Sequence, residues 1–149
     1  MQTLHFEIHF NATASQVWHG LFDTENYKLW THIFHEGSYY KTQSFSKGSK
    51  IHFLIPTGDG MFSVIDEIEI NRLMIFRHLG TVKNFEEQPI DDSAQSWCNS
   101  LERYYLTEQG NQTKLEVVLD AVEEFIPYFN NTFPVALQKL KDLVESSNL

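Results

Sequence analysis

From Leu4 to Phe10 the apolar residues Leu4, Phe6, Ile8 and Phe10 alternate with His5, Glu7 and His9, the period of a strand buried on one face. Thr13 followed three residues later by Gln16 has the spacing of a capping box, and Val17, Trp18, Leu21 and Phe22 then recur at helical intervals. A short helix to about Phe22 is predicted. Thr24 supplies a cap for another short turn in which Tyr27 and Trp30 fall three apart on one face. Two small helices thus separate the first strand from the rest.

The middle of the chain alternates β-rich runs with turn residues at close intervals, the pattern of an antiparallel meander. Ser46-Lys47-Gly48 precedes Ile51, Phe53 and Ile55; Pro56 through Gly60 turns into Met61 to Ile70; Asn71-Arg72 turns into Leu73 to Leu79. Thr81 to Asp92 is polar and acidic around Pro89 and is expected to be a long exposed loop. Two further strands, about Gln95 to Leu106 and Lys114 to Ala121, flank the turn residues Gln109, Gly110 and Asn111. The period then changes again: Val135, Leu137, Leu140, Leu143 and Val144 form an apolar stripe beside Lys139, Lys141, Asp142 and Glu145. A proline is tolerated in a first helical turn, so Pro134 places the cap near Thr132 and leaves Pro127 to Asn131 as a separate turn or short helix. From Thr132 to about Ser146 that helix would run ~22 Å, enough to lie across a curved sheet.

Composition narrows the function classes. The 149 residues are 42% hydrophobic and 14% aromatic, which fits one globular domain over 1–149 with a sizeable core. Against 11 Lys and Arg stand 20 Asp and Glu, a formal charge of −9 that repels a phosphate backbone, so nucleic acid is not an expected partner. No apolar run approaches the roughly 20 residues that span a bilayer, and Met1 leads into an alternating segment, not a signal region; the expected compartment is the cytoplasm. The single cysteine, Cys98, excludes an internal disulfide and metal sites built on paired thiolates, and is read as a small buried hydrophobe. The Asn-x-Thr sequons at Asn11, Asn111 and Asn130 are read as chance matches.

Strand, two short helices, about six further antiparallel strands and a long terminal helix is the order of the helix-grip fold of START-like domains and the birch-pollen allergen family, an α+β architecture. The opening Leu4-His5-Phe6 strand, the Ala14-Ser15-Gln16-Val17-Trp18 helix entry, Tyr27 and Trp30, and Gly37-Ser38-Tyr39-Tyr40 carry a closer likeness. So do Lys47-Gly48-Ser49-Lys50-Ile51, Phe76-Arg77-His78-Leu79-Gly80, and Phe133-Pro134-Val135-Ala136-Leu137-Gln138-Lys139-Leu140-Lys141. Over essentially the whole chain, this resembles small bacterial SRPBCC proteins related to the activator of the heat-shock ATPase family. The resemblance implies a curved sheet of about seven strands gripping the terminal helix, with a cavity for an apolar ligand. Related members act as lipid carriers, hormone receptors, cyclases or co-chaperones, so membership does not choose among these. Lys83-Asn84-Phe85-Glu86-Glu87 departs from the relatives, which tend to have a glycine after the asparagine; Phe85 is a candidate cap for the cavity mouth.

Individual residues give candidate chemistry. If Met74, Phe76 and His78 share the inner face of their strand, alternation sends Leu73, Ile75 and Arg77 outward and spares a buried arginine. On the next strand the same test leaves both phases open, with Cys98, Ser100, Glu102, Tyr104 and Leu106 on one face and Trp97, Asn99, Leu101, Arg103 and Tyr105 on the other. Placing Arg103 outside puts Glu102 and Tyr104 inside, where His78 and Glu102 can meet on the cavity wall. Such a pair orients a ligand hydroxyl or carbonyl, serves as an acid/base dyad, or is a satisfied polar pair without chemistry. Trp30, Phe34, Phe53, Phe62 and Phe76 are candidates to face the space between sheet and helix. Trp97, Phe129, Phe133 and Leu137 complete the candidate wall, although most aromatic residues of any protein are core.

Other motifs carry less. His5 and His9 would stand ~13 Å apart in a strand, too far for one metal ion, and His32-x-x-His35 lacks a third ligand beyond the adjacent Glu36. No Gly-x-Ser-x-Gly elbow occurs, and Gly58-Asp59-Gly60 reads as a turn, not a phosphate cradle. The leading expectation is a cofactor-independent protein that binds a small apolar or amphipathic molecule. The alternatives are a co-chaperone-type module acting on a heat-shock ATPase, with a filled cavity, and a cyclase or hydrolase using His78 and Glu102.

Overall fold

The computed structural model describes residues 1–147; positions 148 and 149 of the expected single-domain span lie outside the described residues. Strand β1 (Gln2–Phe10) leads into α1 (Ala14–Phe22) and α2 (Thr24–Thr31). The capping box is made as the spacing predicts: the Thr13 hydroxyl accepts from the Gln16 amide at 3.2 Å, and the Gln16 side chain accepts from the Thr13 amide at 2.8 Å. Asp23, one residue before the expected Thr24, caps α2 by accepting from the Asn26 amide.

Strands β2 (Tyr39–Thr42), β3 (Lys50–Leu54), β4 (Gly60–Glu69) and β5 (Leu73–Lys83) follow, with a short β6 (Glu86–Glu87) folded back on β5. After the four-residue α3 (Asp92–Gln95) come β7 (Leu101–Gln109) and β8 (Gln112–Ala121), a 3-10 turn (Glu123–Phe125) and the terminal helix α4 (Ile126–Ser147). All strand pairs are antiparallel, in the order β1-β8-β7-β5-β4-β3-β2. On β5 burial alternates at every position, with Met74, Phe76 and His78 inward, as expected from the outward placement of Arg77. Arg77 bonds Asp66 on the outer side at 3.0 Å.

Several boundaries differ from the sequence expectation, each for a local reason. β2 has no counterpart among the expected strands. The stretch 81–92 is not one loop: β5 runs on to Lys83 and turns through Asn84 (φ 51°) and Phe85 (φ 67°) into β6. Two successive left-handed residues make the tight turn that the missing glycine had hidden. Residues 95–100 are not strand. Asp91 caps a helical turn by accepting from the Ala94 amide at 2.8 Å, and Asn99 adopts φ 68°, so extended backbone begins only at Leu101. Cys98 accordingly sits half-buried in that turn, not in the core.

The terminal helix is a continuous 22 residues, ~33 Å long, and not a shorter one beginning near Thr132. Pro127 falls in its first turn, where no amide is needed. Pro134 lies inside it on an exposed face, and Asn130, whose carbonyl loses its helical donor there, is exposed as well. The stripe that α4 buries therefore begins earlier than the prolines suggest, with Phe129 and Phe133 continuing into Ala136, Leu137, Leu140 and Val144. Among the described residues, no helix is long and apolar enough to cross a membrane.

Candidate functional site

At the N-terminal end of α4, helix and sheet stand apart around a cavity of about 490 Å³, within the range of small-molecule sites. Three elements build its walls. From α2 and the turn after it come Tyr27, Trp30 and Phe34, and α4 with the preceding 3-10 turn adds Phe125, Phe129 and Phe133. The sheet contributes Phe53 and Met61 on one side and Leu119 on the other, with Trp97 reaching in from the turn before β7. The rings meet mostly edge to face: Phe34 and Phe133 are 4.8 Å apart at 70°, and Trp30 and Phe34 6.3 Å at 76°.

One wall carries a chain of polar contacts across three neighbouring strands. Ser63 on β4 lies directly opposite His78 on β5, and the Ser63 hydroxyl is 2.6 Å from His78 Nδ1. His78 Nε2 is 3.0 Å from Glu102 Oε1 on β7, and the Tyr104 hydroxyl donates to Glu102 Oε2. His78, Glu102 and Tyr104 line the cavity, whereas Ser63 is fully buried behind it. Burial, reinforced by the carboxylate of Glu102, pushes the Tyr104 and Tyr27 hydroxyls well above the ordinary tyrosine value. Both stay protonated, and the proton of Tyr104 is committed to Glu102.

The structure brings together Trp30, Phe34, Phe53 and His78 with Trp97, Glu102 and Tyr104, and sets Phe129 and Phe133 opposite them. Met74, Phe76 and Leu137 do not reach the cavity surface; they are buried in the core beside it, at 0%, 2% and 2% exposure. Phe62 faces away, into a small cluster with Leu54 and Val82, because it alternates on β4 with Met61, in the cavity wall, and Ser63, which bonds the inward His78. Phe85 is 53% exposed, covers Gly58, and borders a separate polar depression near Lys41 and His52. It does not cap the cavity.

Trp97 arrives by a route the alternation did not describe, since it belongs to a turn and not to the outward face of a strand. Ser63 and Tyr128 were not singled out. Ser63 is a small polar residue within a strand, with no sequence mark of burial, and Tyr128, in the cavity wall, lies in the stretch read as a separate turn. His32 and His35 are exposed, and among the described residues no three His, Cys, Asp or Glu side chains form a group able to hold a metal ion.

Comparison with known proteins gives no match to a family model or to a curated protein. Solved structures do match. The Aha1 dimer from Colwellia psychrerythraea aligns over 97% of both chains with a TM-score of 0.71 at 20% identity, and MLL2253 from Mesorhizobium loti over 99% of this chain and 100% of its own, at 0.75 and 13%. The fold is the helix grip. DynU16, a protein of the dynemicin biosynthetic locus, shows the same arrangement at a TM-score of 0.69 and 12% identity, over 97% of this chain and 48% of its own. At these identities the likeness concerns the fold. In helix-grip terms, the cavity lies between the gripping sheet and the N-terminal half of the gripped helix.

Proposed function

We propose that this chain is a START-like, single-domain cytoplasmic protein that binds a small apolar or amphipathic molecule in the cavity between its sheet and its C-terminal helix. One observation carries the reading: an aromatic-walled space of about 490 Å³ stands open where the same fold could have packed a core. Protein interiors are otherwise filled to crystal-like density, so a void of this size forfeits contacts that a ligand would restore. The sheet wall carries a carboxylate, Glu102, held between His78 and Tyr104, that can orient an incoming group.

A thermal-shift screen against lipids, sterols, polyketides and aromatic metabolites tests it. A ligand at 100 times its dissociation constant adds ~2.7 kcal/mol, or about 5–10 °C for a domain of this size. A saturable rise for one chemical class supports binding; silence across the panel removes the reading.

The likeness to the Aha1 dimer over 97% of both chains favours a second reading, a co-chaperone-type module acting on a heat-shock ATPase. That reading expects a filled cavity, and a pull-down with the purified ATPase distinguishes it. The open cavity favours the first. A cyclase or hydrolase using His78 and Glu102 has weaker support, because both ring nitrogens of His78 are already engaged, by Ser63 and by Glu102.

A further inference from the structure

We propose that the cavity selects molecules with a protonated amine on an apolar body, that Glu102 is the anchor for the amine, and that carboxylates and phosphates are excluded. This rests on the ligand-binding reading above and adds the chemical class of the head group. The argument begins with the charge inventory of the wall. Its carboxylates are Glu102 and Asp120, and among the described residues it carries no lysine or arginine.

The two carboxylates are not equivalent. Asp120 is taken up by the fork of Arg103 at 3.2 and 3.3 Å, by the Leu101 amide at 3.0 Å and by the Thr3 hydroxyl at 3.1 Å, which satisfies its acceptors and neutralises its charge. Glu102 has two partners, His78 and Tyr104, one on each oxygen. A carboxylate offers about four acceptor sites, so roughly half of its capacity points to no protein donor. Its side chain is 18% exposed, and the surface it exposes belongs to the cavity wall.

His78 is only 6% exposed at its side chain, with Nδ1 at Ser63 and Nε2 at Glu102. It therefore holds Glu102 in place and has no free nitrogen for a ligand. A bound molecule meets an acceptor-rich carboxylate, and it must bring the donors itself. An ammonium group brings three. The surrounding rings suit a cation as well: Phe53 is centred 6.0 Å from His78 and 6.2 Å from Tyr27, and aromatic faces attract positive charge. A carboxylate or phosphate would find no lysine or arginine to offset its charge, only neutral donors such as the Tyr27 hydroxyl, and would face Glu102 across an aromatic-walled space. The formal charge of −9 on the whole chain adds an attraction for cations at long range.

The experiment uses three probes with one apolar body and different heads: 2-(1-naphthyl)ethylamine, 2-(1-naphthyl)ethanol and 1-naphthylacetate, titrated by calorimetry at neutral pH into the full chain and into Glu102→Gln. The amine is expected to bind about tenfold tighter than the alcohol, the ratio that one charge-assisted bond supplies, with no detectable binding of naphthylacetate. Glu102→Gln keeps the shape and an acceptor oxygen but removes the charge, so it should bring amine and alcohol to equal affinity. Naphthylacetate binding as well as the amine would overturn the proposal, as would an unchanged preference in Glu102→Gln. The ranking with the unaltered chain decides by itself if the variant does not fold. Alcohol binding without an amine preference sinks the head-group assignment alone, whereas failure of all three probes also removes the cavity reading.

Discussion

The two halves of α4 rest on the same sheet and end in opposite states. Its C-terminal half presents Ala136, Leu140 and Val144, at 0–2% exposure, within one cluster with Val17, Leu21, Leu115 and Val117, each at 0%. Its N-terminal half presents Phe129 and Phe133 towards Phe34, Trp30 and the sheet, and there the space stays open. Short aliphatic side chains interdigitate and let helix and sheet close. Rings in edge-to-face contact prop them apart. The helix grip thus places stability at one end and a cavity at the other, and the switch occurs within the single turn between Phe133 and Leu137.

The largest expected effect breaks the filled end. Leu140→Ala should cost about 2–5 kcal/mol, the range for a leucine truncated in a packed core, whereas Phe129→Ala, already half-buried beside an open space, should cost clearly less. Urea denaturation measures both, and equal losses would show that the two ends are packed alike. Next comes Tyr104→Phe, which keeps the ring and leaves Glu102 Oε2 without its donor. Stability should fall by about 1–3 kcal/mol, and selection among probes at the polar wall should change; an unaltered protein would mean that the hydroxyl has no role there.

A smaller effect is expected outside both ends. Phe85 holds a left-handed backbone conformation that costs a non-glycine residue about 1–2 kcal/mol. Phe85→Gly relieves it while losing the cover over Gly58, so a net gain of about 1 kcal/mol or less is predicted. Probe binding should not change, and a loss of binding would tie this loop to the cavity after all.

The smallest effect within the working range is the pH dependence, because it begins only in alkali. Tyr27 and Tyr104 have folded-state values raised above 10.0, chiefly by burial. In the unfolded chain they ionise near 10.0, so their contribution is complete below that value and is lost as the pH rises through the folded values. Tyrosinate absorbance should therefore show these two residues ionising together with unfolding; ionisation of all six tyrosines in a still-folded protein would contradict the burial of the polar wall.

The order of elements was legible because its period changes from two to helical and back at clear caps, Thr13 above all. The phase of β5 was legible because Arg77 admits only one orientation. What stayed hidden depended on local backbone geometry. The start of α4 was obscured by Pro127 and Pro134, both read as boundaries although one sits in a first turn and the other on a solvated face. The β5–β6 turn was obscured because Asn84-Phe85 adopts a glycine-favoured conformation without glycine. Ser63 behind His78 went unnoticed because a small polar side chain carries no sign of burial, and Phe62 was placed on the wrong side because it is large and apolar, although Met61 and Ser63 on either side of it hold the inner face. The three wall candidates that fall short of the cavity, Met74, Phe76 and Leu137, lie on the correct faces but deeper in the core, and periodicity reports a face without reporting depth.

The most direct measurement of the central claim is a fluorescence titration with the neutral probe N-phenyl-1-naphthylamine, run in parallel on the natural chain and on Leu119→Phe, which extends a wall residue into the cavity. A saturable one-to-one enhancement that disappears in the variant, while its melting temperature holds or rises, is the predicted result. Equal binding to both would place the probe elsewhere and contradict a ligand cavity between the sheet and the helix.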